Sequence, residues 1–356
     1  MEKTPASANL SLFLSVCPLL PAPCSISLLF FPIFTLTGRK KLIYIHTYFS
    51  SGKKGMSASP YRLGVHVSIA GGIEKAVDRA RELGCSAMQI FCRNPRGWRA
   101  SLFPLPLARA FREKVKQSNI DPVVVHAPYL LNLASADRGL HLKSAKELSE
   151  DLKRAEQLGA RYVVTHLGSA GEQGPGKGRN RVVQALKKIL GRDFPGILLL
   201  ENSAGGGNSI GASFEEVAQI MEGAGDHPRV GFCFDSCHGY AAGYDFRSAA
   251  RARALVEELN RTIGLNRLKL LHLNDCAGAL GSHRDRHQHI GKGAIGIRGF
   301  QSLLGEESLR KIPMILETPK EGPGDDRKNL FCIRTLLESG EREPDEPLAP
   351  VDEGKG

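Results

Sequence analysis

The chain has 356 residues, and because a one-domain α/β barrel commonly runs to about 250 residues before insertions, this length does not require two domains. Hydrophobic residues make up 42% and charged residues 24%, which argues against a disordered, collagen-like or polytopic membrane protein. The net charge is +11, and residues 57–340 alone carry +10. A basic body suits an acidic partner such as nucleic acid, although such a charge also serves general solubility.

Residues 1–57 are predicted to be an N-terminal extension outside the fold. The stretch from Leu10 to Leu36 has no charged residue and is long enough to span a bilayer, but four prolines interrupt it. A membrane anchor and a targeting segment remain alternatives. We favour an upstream translation extension, because Met56 directly precedes the first well-patterned strand. A cytoplasmic protein without membrane contact is therefore expected.

From residue 61 onward, short runs rich in Val, Ile and Leu alternate with longer amphipathic stretches, as in βαβ units. The predicted strands are Arg62–Val67, Ala87–Cys92, Val123–Tyr129, Tyr162–Leu167, Ile197–Glu201, Val230–Asp235, Leu268–Asn274 and Pro313–Glu317. Helical patterns between them include Ile73–Leu83, Leu142–Leu158, Arg179–Leu190, Phe214–Met221 and Ser248–Ile263.

Eight such units favour a closed (β/α)8 TIM barrel over residues 58–340. An open dinucleotide-binding sheet is disfavoured, because the first strand is not followed by the glycine pattern GxGxxG. Residues 341–356 carry six acidic and two basic side chains and are predicted to form a disordered acidic tail.

The last six predicted strands each end in a polar side chain that can bind a metal. These residues are His126, His166, Glu201, Asp235, His272 and Glu317, with His238 just beyond strand six, Asp275 near the end of strand seven, and Asp285 and His287 on the long loop that follows. The carboxyl ends of barrel strands meet at one rim, so these side chains are expected to converge. A single histidine at a strand end is more often a hydrogen-bonded neutral imidazole than a ligand, but Glu201 and Glu317 follow apolar runs and need cations.

Imidazole and carboxylate ligands without thiolate suit zinc, manganese or iron, and even without Asp275 the nine remaining candidates are more than one ion can use. Two or three clustered ions are a common device for hydrolysing a phosphodiester. The eight scattered cysteines indicate a reducing compartment, and we interpret Cys233 and Cys237 as buried structural thiols.

Longer motifs join these residues in order. They occupy residues 64–72 (GVHVSIAGG), 94–99, 126–133, 199–205, 234–244 (FDSCHGYAAGY), 271–275, 281–293 and 316–318. Through them, the chain from about Tyr61 to Leu337 resembles the endonuclease IV family, the zinc-dependent apurinic/apyrimidinic endonucleases also termed deoxyribonuclease IV.

The resemblance implies a DNA repair hydrolase that cuts duplex DNA on the 5′ side of an abasic site, leaving a 3′-hydroxyl and a 5′-deoxyribose phosphate. It implies three zinc ions per chain, with manganese in part of the sites as an alternative, and a monomer. Glu201 and Glu317 would take the catalytic roles, and Glu201 would bridge two ions. The implied ligands are His126, His166 and Glu201 for the first ion; Glu201, Asp235, His272 and Glu317 for the second; and His238, Asp285 and His287 for the third.

The resemblance also places Arg96, Tyr129 and Leu130 against DNA, inserted at the damaged site. The alternative for Tyr129 and Leu130 is simple packing of a loop, and Trp98 is interpreted as a packing residue. Two other functions stay open: a metal-dependent sugar isomerase on the same barrel, and a DNA-binding relative without catalytic activity.

Overall fold

The computed structural model describes residues 60–191 and 194–339. The predicted extension at residues 1–57 and the acidic tail at 341–356 lie outside these ranges. Within the described ranges, no helix is both long enough and apolar enough to cross a bilayer.

Eight parallel strands form one sheet, in the spatial order β1, β10, β7, β6, β5, β4, β3, β2. They are β1 (Leu63–Val65), β2 (Met88–Phe91), β3 (Val123–His126), β4 (Tyr162–Thr165), β5 (Ile197–Glu201), β6 (Val230–Asp235), β7 (Leu268–His272) and β10 (Met314–Leu316). A separate hairpin pairs β8 (Asp275–Cys276) with β9 (His287–Gln288). Every predicted barrel strand is present, and the TIM-barrel prediction is confirmed.

Helices separate the strands and cover the barrel. They are α1 (Ile73–Glu82), α2 (Leu105–Gln117), α3 (Arg138–Gln157), α4 (Pro175–Leu190), α5 (Phe214–Gly223), α6 (Ser236–Ala242), α7 (Ala249–Thr262), α8 (Gly296–Gly305), α9 (Glu307–Arg310) and α10 (Asp325–Ser339). Helix α3 begins four residues before its predicted start, because the Asp137 side chain caps it by accepting from Leu140 N at 2.6 Å.

The barrel closes where β1 meets β2. Val67 N donates to Gln89 O at 2.8 Å, and His66 pairs with Gln89 in a parallel bridge. Gly64 allows this contact, since a Cβ there would stand only 1.8 Å from the Ala87 carbonyl oxygen. A side chain at residue 64 would therefore force the two closing strands apart.

The interior of the barrel is filled by side chains from the strands alone. One buried cluster contains Ala87, Val124, Tyr162, Val164, Leu199, Cys233, Leu270 and Ile315, and includes no helix residue. A larger cluster packs the opposite strand faces against the helices. Because side chains alternate along a strand, the residue two positions beyond each interior residue also points inward, nearer the carboxyl end.

A buried ion-pair network holds the loop after β2. Asp151 on α3 is bound by Arg93 through Nε and Nη2 at 2.8 and 3.0 Å and by Arg154 through Nη1 at 2.8 Å. All three side chains are at most 3% exposed. The same guanidinium groups donate to backbone carbonyls of the loop, Arg93 to Gly97 and Arg154 to Ser101. This network fixes the segment that carries Arg96.

Asp151→Ala should lower the free energy of unfolding by about 3–5 kcal/mol, because it leaves two buried guanidinium groups without their counter-charge. Urea denaturation followed by circular dichroism measures this loss. Lys153→Ala on the same helix breaks only an exposed pair with Glu150 and should cost at most about 0.5 kcal/mol. Equal losses in the two variants would contradict the assignment.

Candidate metal centre

One polar layer lies directly above the apolar interior of the barrel. Each strand supplies one side chain to it, two residues beyond an inward-facing position: His66, Gln89, His126, His166, Glu201, Asp235, His272 and Glu317. Six of these were predicted from the sequence. His66 and Gln89 were missed, although they follow Gly64 and Ala87 at the same interval of two.

The first group of ligand atoms joins β3, β4 and β5. Glu201 Oε2 lies 3.2 Å from His126 Nε2 and 3.6 Å from His166 Nε2. Glu201 is fully buried, whereas the His166 side chain is 34% exposed. These three residues can hold one ion.

The second group shares Glu201 with the first. His272 Nδ1 lies 3.0 Å from Glu201 Oε1 and 3.3 Å from Glu317 Oε2. Asp235 Oδ2 is 3.9 Å from the same nitrogen. Because each Glu201 oxygen faces a different group, this carboxylate is placed to bridge two cations.

The third group opens toward solvent. Asp285 Oδ2 lies 3.2 Å from His238 Nε2, and Asp285 Oδ1 lies 3.3 Å from His287 Nε2. Asp235 also approaches His287, at 3.8 Å. The Asp285 side chain is 57% exposed, so this group faces the rim. All nine predicted ligands are thus brought together.

Cys237 adds a donor that the sequence analysis did not place here. Its buried thiol lies within 4.8 Å of ligand atoms of Asp285 and His287. Cys233 is also buried, but in the barrel interior, as expected for a structural thiol. Helix α6 starts directly after Asp235. Its first turn brings Cys237 close to the third group of ligands.

The donor set fits divalent cations. Three carboxylates lie in this layer and that of Asp285 adjoins it, and the ion-pair partners of Glu201, Asp235 and Glu317 within 4.0 Å are imidazoles. An imidazole balances a carboxylate only when it is protonated, so buried carboxylates in this number favour a divalent cation as counter-charge. Mixed nitrogen and oxygen donors without an obligatory thiolate suit zinc or manganese.

The pKa shifts of His238 and Glu201 show how strongly the imidazoles and carboxylates of the site interact. Burial lowers the pKa of His238, but the carboxylates of Asp235 and Asp285 outweigh it and raise that pKa well above its usual value. The pKa of the buried Glu201 is held well below its usual value by His166 and His272 despite burial. Both shifts follow from close contact between carboxylates and imidazoles, an arrangement that also suits a bound cation.

Hydrogen bonds behind the ligands orient them. The Nδ1 atoms of His126, His238 and His287 face the carbonyl oxygens of Ala127, Asn202 and Glu317 at 2.6, 3.0 and 3.0 Å, which leaves each Nε2 for the centre.

Gln89 performs the same task for the second group. Its Oε1 accepts from His272 Nε2 at 2.9 Å, so His272 presents Nδ1 to the cluster. Its Nε2 donates to Glu317 Oε1 at 2.5 Å, and His66 Nδ1 contacts that oxygen at 3.1 Å. Asn274 adds a bond from Nδ2 to Asp235 Oδ2 at 2.6 Å.

Asp275, expected near the centre, faces the other way. Its carboxylate accepts backbone N–H bonds from Gly291, Gly293 and Ile295 at 2.9, 3.0 and 3.0 Å. It therefore anchors the far end of the loop that carries Asp285 and His287. His283 likewise stays out of the cluster, with Nδ1 against Ala204 O at 2.9 Å.

The three predicted DNA-contacting residues lie on rim loops. Arg96 is exposed, Tyr129 is 58% exposed and Leu130 is half-buried. Packing alone does not account for an exposed tyrosine so close to His126. Trp98 packs against the main core, with Lys143 Nζ 4.0 Å from the ring centroid.

Comparison with known proteins agrees with this architecture. Residues 77–336 match a family model described as "Xylose isomerase-like TIM barrel", which is the class of barrel that the fold shows. A probable endonuclease 4 of Methanoculleus marisnigri is 45% identical over 276 residues, covering 77% of this chain and 98% of that relative. The crystal structure of endonuclease IV from Thermus thermophilus is 40% identical, with a TM-score of 0.70, and covers 78% of this chain and 99% of that one. The chain belongs to the endonuclease IV family.

This membership confirms the prediction of a nuclease of the hydrolase class. A D-tagatose 3-epimerase-like protein also matches, with a TM-score of 0.61 at 21% identity, over 78% of this chain and 98% of that one. At this identity the likeness extends to the barrel fold alone.

Gln89→Leu should weaken metal binding by about 10–100-fold, because His272 and Glu317 lose the partner that orients them. Zinc titration of the metal-free protein against a competing chelator measures the change. Gln157→Leu is the matched control, since the side chain of this glutamine bonds to the Phe103 backbone, at 2.8 and 2.9 Å, and its loss should leave zinc affinity unaltered. Unchanged affinity in Gln89→Leu would remove its orienting role.

Proposed function

We propose that this chain cleaves the phosphodiester bond on the 5′ side of abasic sites in duplex DNA, leaving a 3′-hydroxyl and a 5′-deoxyribose phosphate. The observation that carries the proposal is the shared carboxylate of Glu201, whose two oxygens face two ligand groups while a third group adjoins them at the open rim. Three adjacent positive charges suit a phosphodiester better than an uncharged sugar.

Three zinc ions would be held by the nine residues of the three groups, with manganese as an alternative in part of them. When bound, such ions stabilise negative charge on a phosphate and lower the pKa of water. Glu201 and Glu317 would set the spacing of the buried pair, and the exposed Asp285 would lie nearest the incoming DNA.

Arg96, Tyr129 and Leu130 would enter the duplex at the lesion. Their loops leave β2 and β3 at the same rim as the metal centre, and the Asp151 network holds one of them rigidly. Kinking a duplex costs a few kcal/mol per base step and costs least where a base is missing, which favours abasic DNA.

The function is tested with a synthetic duplex bearing one abasic site. The purified chain should nick it on the 5′ side, tolerate changes in flanking sequence, lose activity with rising salt and contain about three zinc-class ions. Strong nicking of intact duplex at a preferred sequence, or an active preparation with one ion, would refute the proposal. Turnover of a keto sugar instead would favour the isomerase alternative.

Glu201→Gln should reduce nicking by about 10³-fold or more, because a neutral amide neither bridges two cations nor balances their charge. Single-turnover nicking and metal content measured on the same sample separate lost chemistry from lost folding. Glu307→Gln is the control: it removes an exposed carboxylate on α9 that pairs with Lys311 at 2.8 Å, and this variant should stay active. Near-normal nicking by Glu201→Gln would show that the bridging role is misassigned.

We also propose a cytoplasmic monomer. A folded body with a net charge of +10 and free cysteines suits a soluble enzyme that meets DNA in a reducing compartment. Cell fractionation and size-exclusion chromatography test location and assembly separately.

A further inference from the structure

A basic cavity of about 710 Å³ lies outside the metal centre, between the loop after α6 and the start of α8. Its lining includes Arg247, Ser248, Arg251, Gly296, Ile297 and Arg298. None of these residues belongs to the three ligand groups or to the predicted DNA-inserting set.

The cavity belongs to the same rim as the metal centre. Helices α7 and α8 follow β6 and β7, so their amino-terminal ends stand at the carboxyl ends of the strands. Two further lining residues, Gly291 and Ile295, are bound by the Asp275 carboxylate, just beyond β7. The cavity therefore flanks the anchored loop that carries Asp285 and His287.

Positive charge at the cavity exceeds its counter-charge. Arg247 binds Asp245 through Nε and Nη2 at 2.9 and 3.0 Å, and Arg251 contacts the same carboxylate. In the described part of the chain, no acidic side chain forms an ion pair with the exposed Arg298. Three guanidinium groups thus face two carboxylates, that of Asp245 and the buried Asp275 carboxylate that binds the lining backbone, which leaves about one positive charge for a ligand.

Backbone groups add to this attraction. The Ser248 side chain does not cap α7, whereas the first N–H of α8, that of Gly296, faces the Asp275 carboxylate at 3.3 and 3.4 Å. The first N–H groups of α7 are donors without intrahelical partners, at the positive end of its helix dipole. Arginine side chains beside such an end are a phosphate-binding arrangement.

We propose that this cavity binds a backbone phosphate of the duplex that flanks the lesion, a contact that rests on the proposed function. Arg251 and Arg298 are the residues that make it, since Arg247 is bound twice by Asp245. The side chains of Arg247 and Arg251 are 41% and 61% exposed. Such an open site suits a phosphate held on a large polyanion better than a small free anion that needs enclosure.

The test compares wild type with the double variant Arg251→Gln/Arg298→Gln, using a duplex with a single abasic site. Affinity is measured from about 50 to about 200 mM salt. Loss of one phosphate contact removes about 0.9 from the slope of log affinity against log salt, so the advantage of wild type should shrink about 3.5-fold over this range. Arg261→Gln changes an exposed arginine on the last turn of α7 that does not line the cavity; it is the control and should keep the wild-type slope.

Failure of the phosphate contact and failure of the proposed nuclease function give different results. If wild type neither binds nor nicks abasic duplex, the proposed function fails, and this contact fails with it. If wild type does both but the double variant keeps its salt slope, the cavity proposal alone is overturned. Inorganic phosphate serves as a second probe: its loss from the double variant with an unchanged DNA slope would identify a free-anion site, which also overturns the DNA contact.

Discussion

Strand alternation in a closed barrel is the constraint on which this molecule depends. Once Val124 or Leu199 points into the barrel, the residue two positions later must point there as well, one layer nearer the rim. Closure at Gly64 makes the layer a ring, so residues distant in sequence come within a few ångströms of one another. The metal centre is the last layer of the barrel core, built from polar side chains.

Hydrogen bonds within the chain orient the side chains of that layer. Backbone carbonyls fix three imidazoles from behind, and Gln89 and Asn274 fix the rest of the second group. The neighbouring carboxylates of Glu201, Asp235 and Glu317 repel one another, and a bound cation would relieve this repulsion. Rigid orientation together with unbalanced charge gives the site affinity for divalent ions, since little ordering of the ligands remains to be done on binding.

The sequence alone predicted the barrel and the meeting of nine ligands, because apolar runs reveal strands and a carboxylate after an apolar run is costly without a partner. His66 and Gln89 were missed because each is a single polar residue at a strand end with no neighbour in sequence to mark it. The sequence also did not predict that the Asp275 side chain points away from the metal centre, since this depends on how the chain turns after His272. Arg251 and Arg298 line the same cavity only because α7 packs beside α8, and no local sequence pattern predicts that packing.

The Asp275 carboxylate reduces the entropic cost of ordering the long loop that carries Asp285 and His287. Closing a loop costs configurational entropy that grows slowly with its length, and the cost falls on whichever event brings the ends together. Here three amides gathered on one buried carboxylate join the ends as the protein folds. The loop that presents Asp285 and His287 therefore need not be ordered afresh in each catalytic cycle, and its residues other than these two candidate ligands can vary without loosening its base.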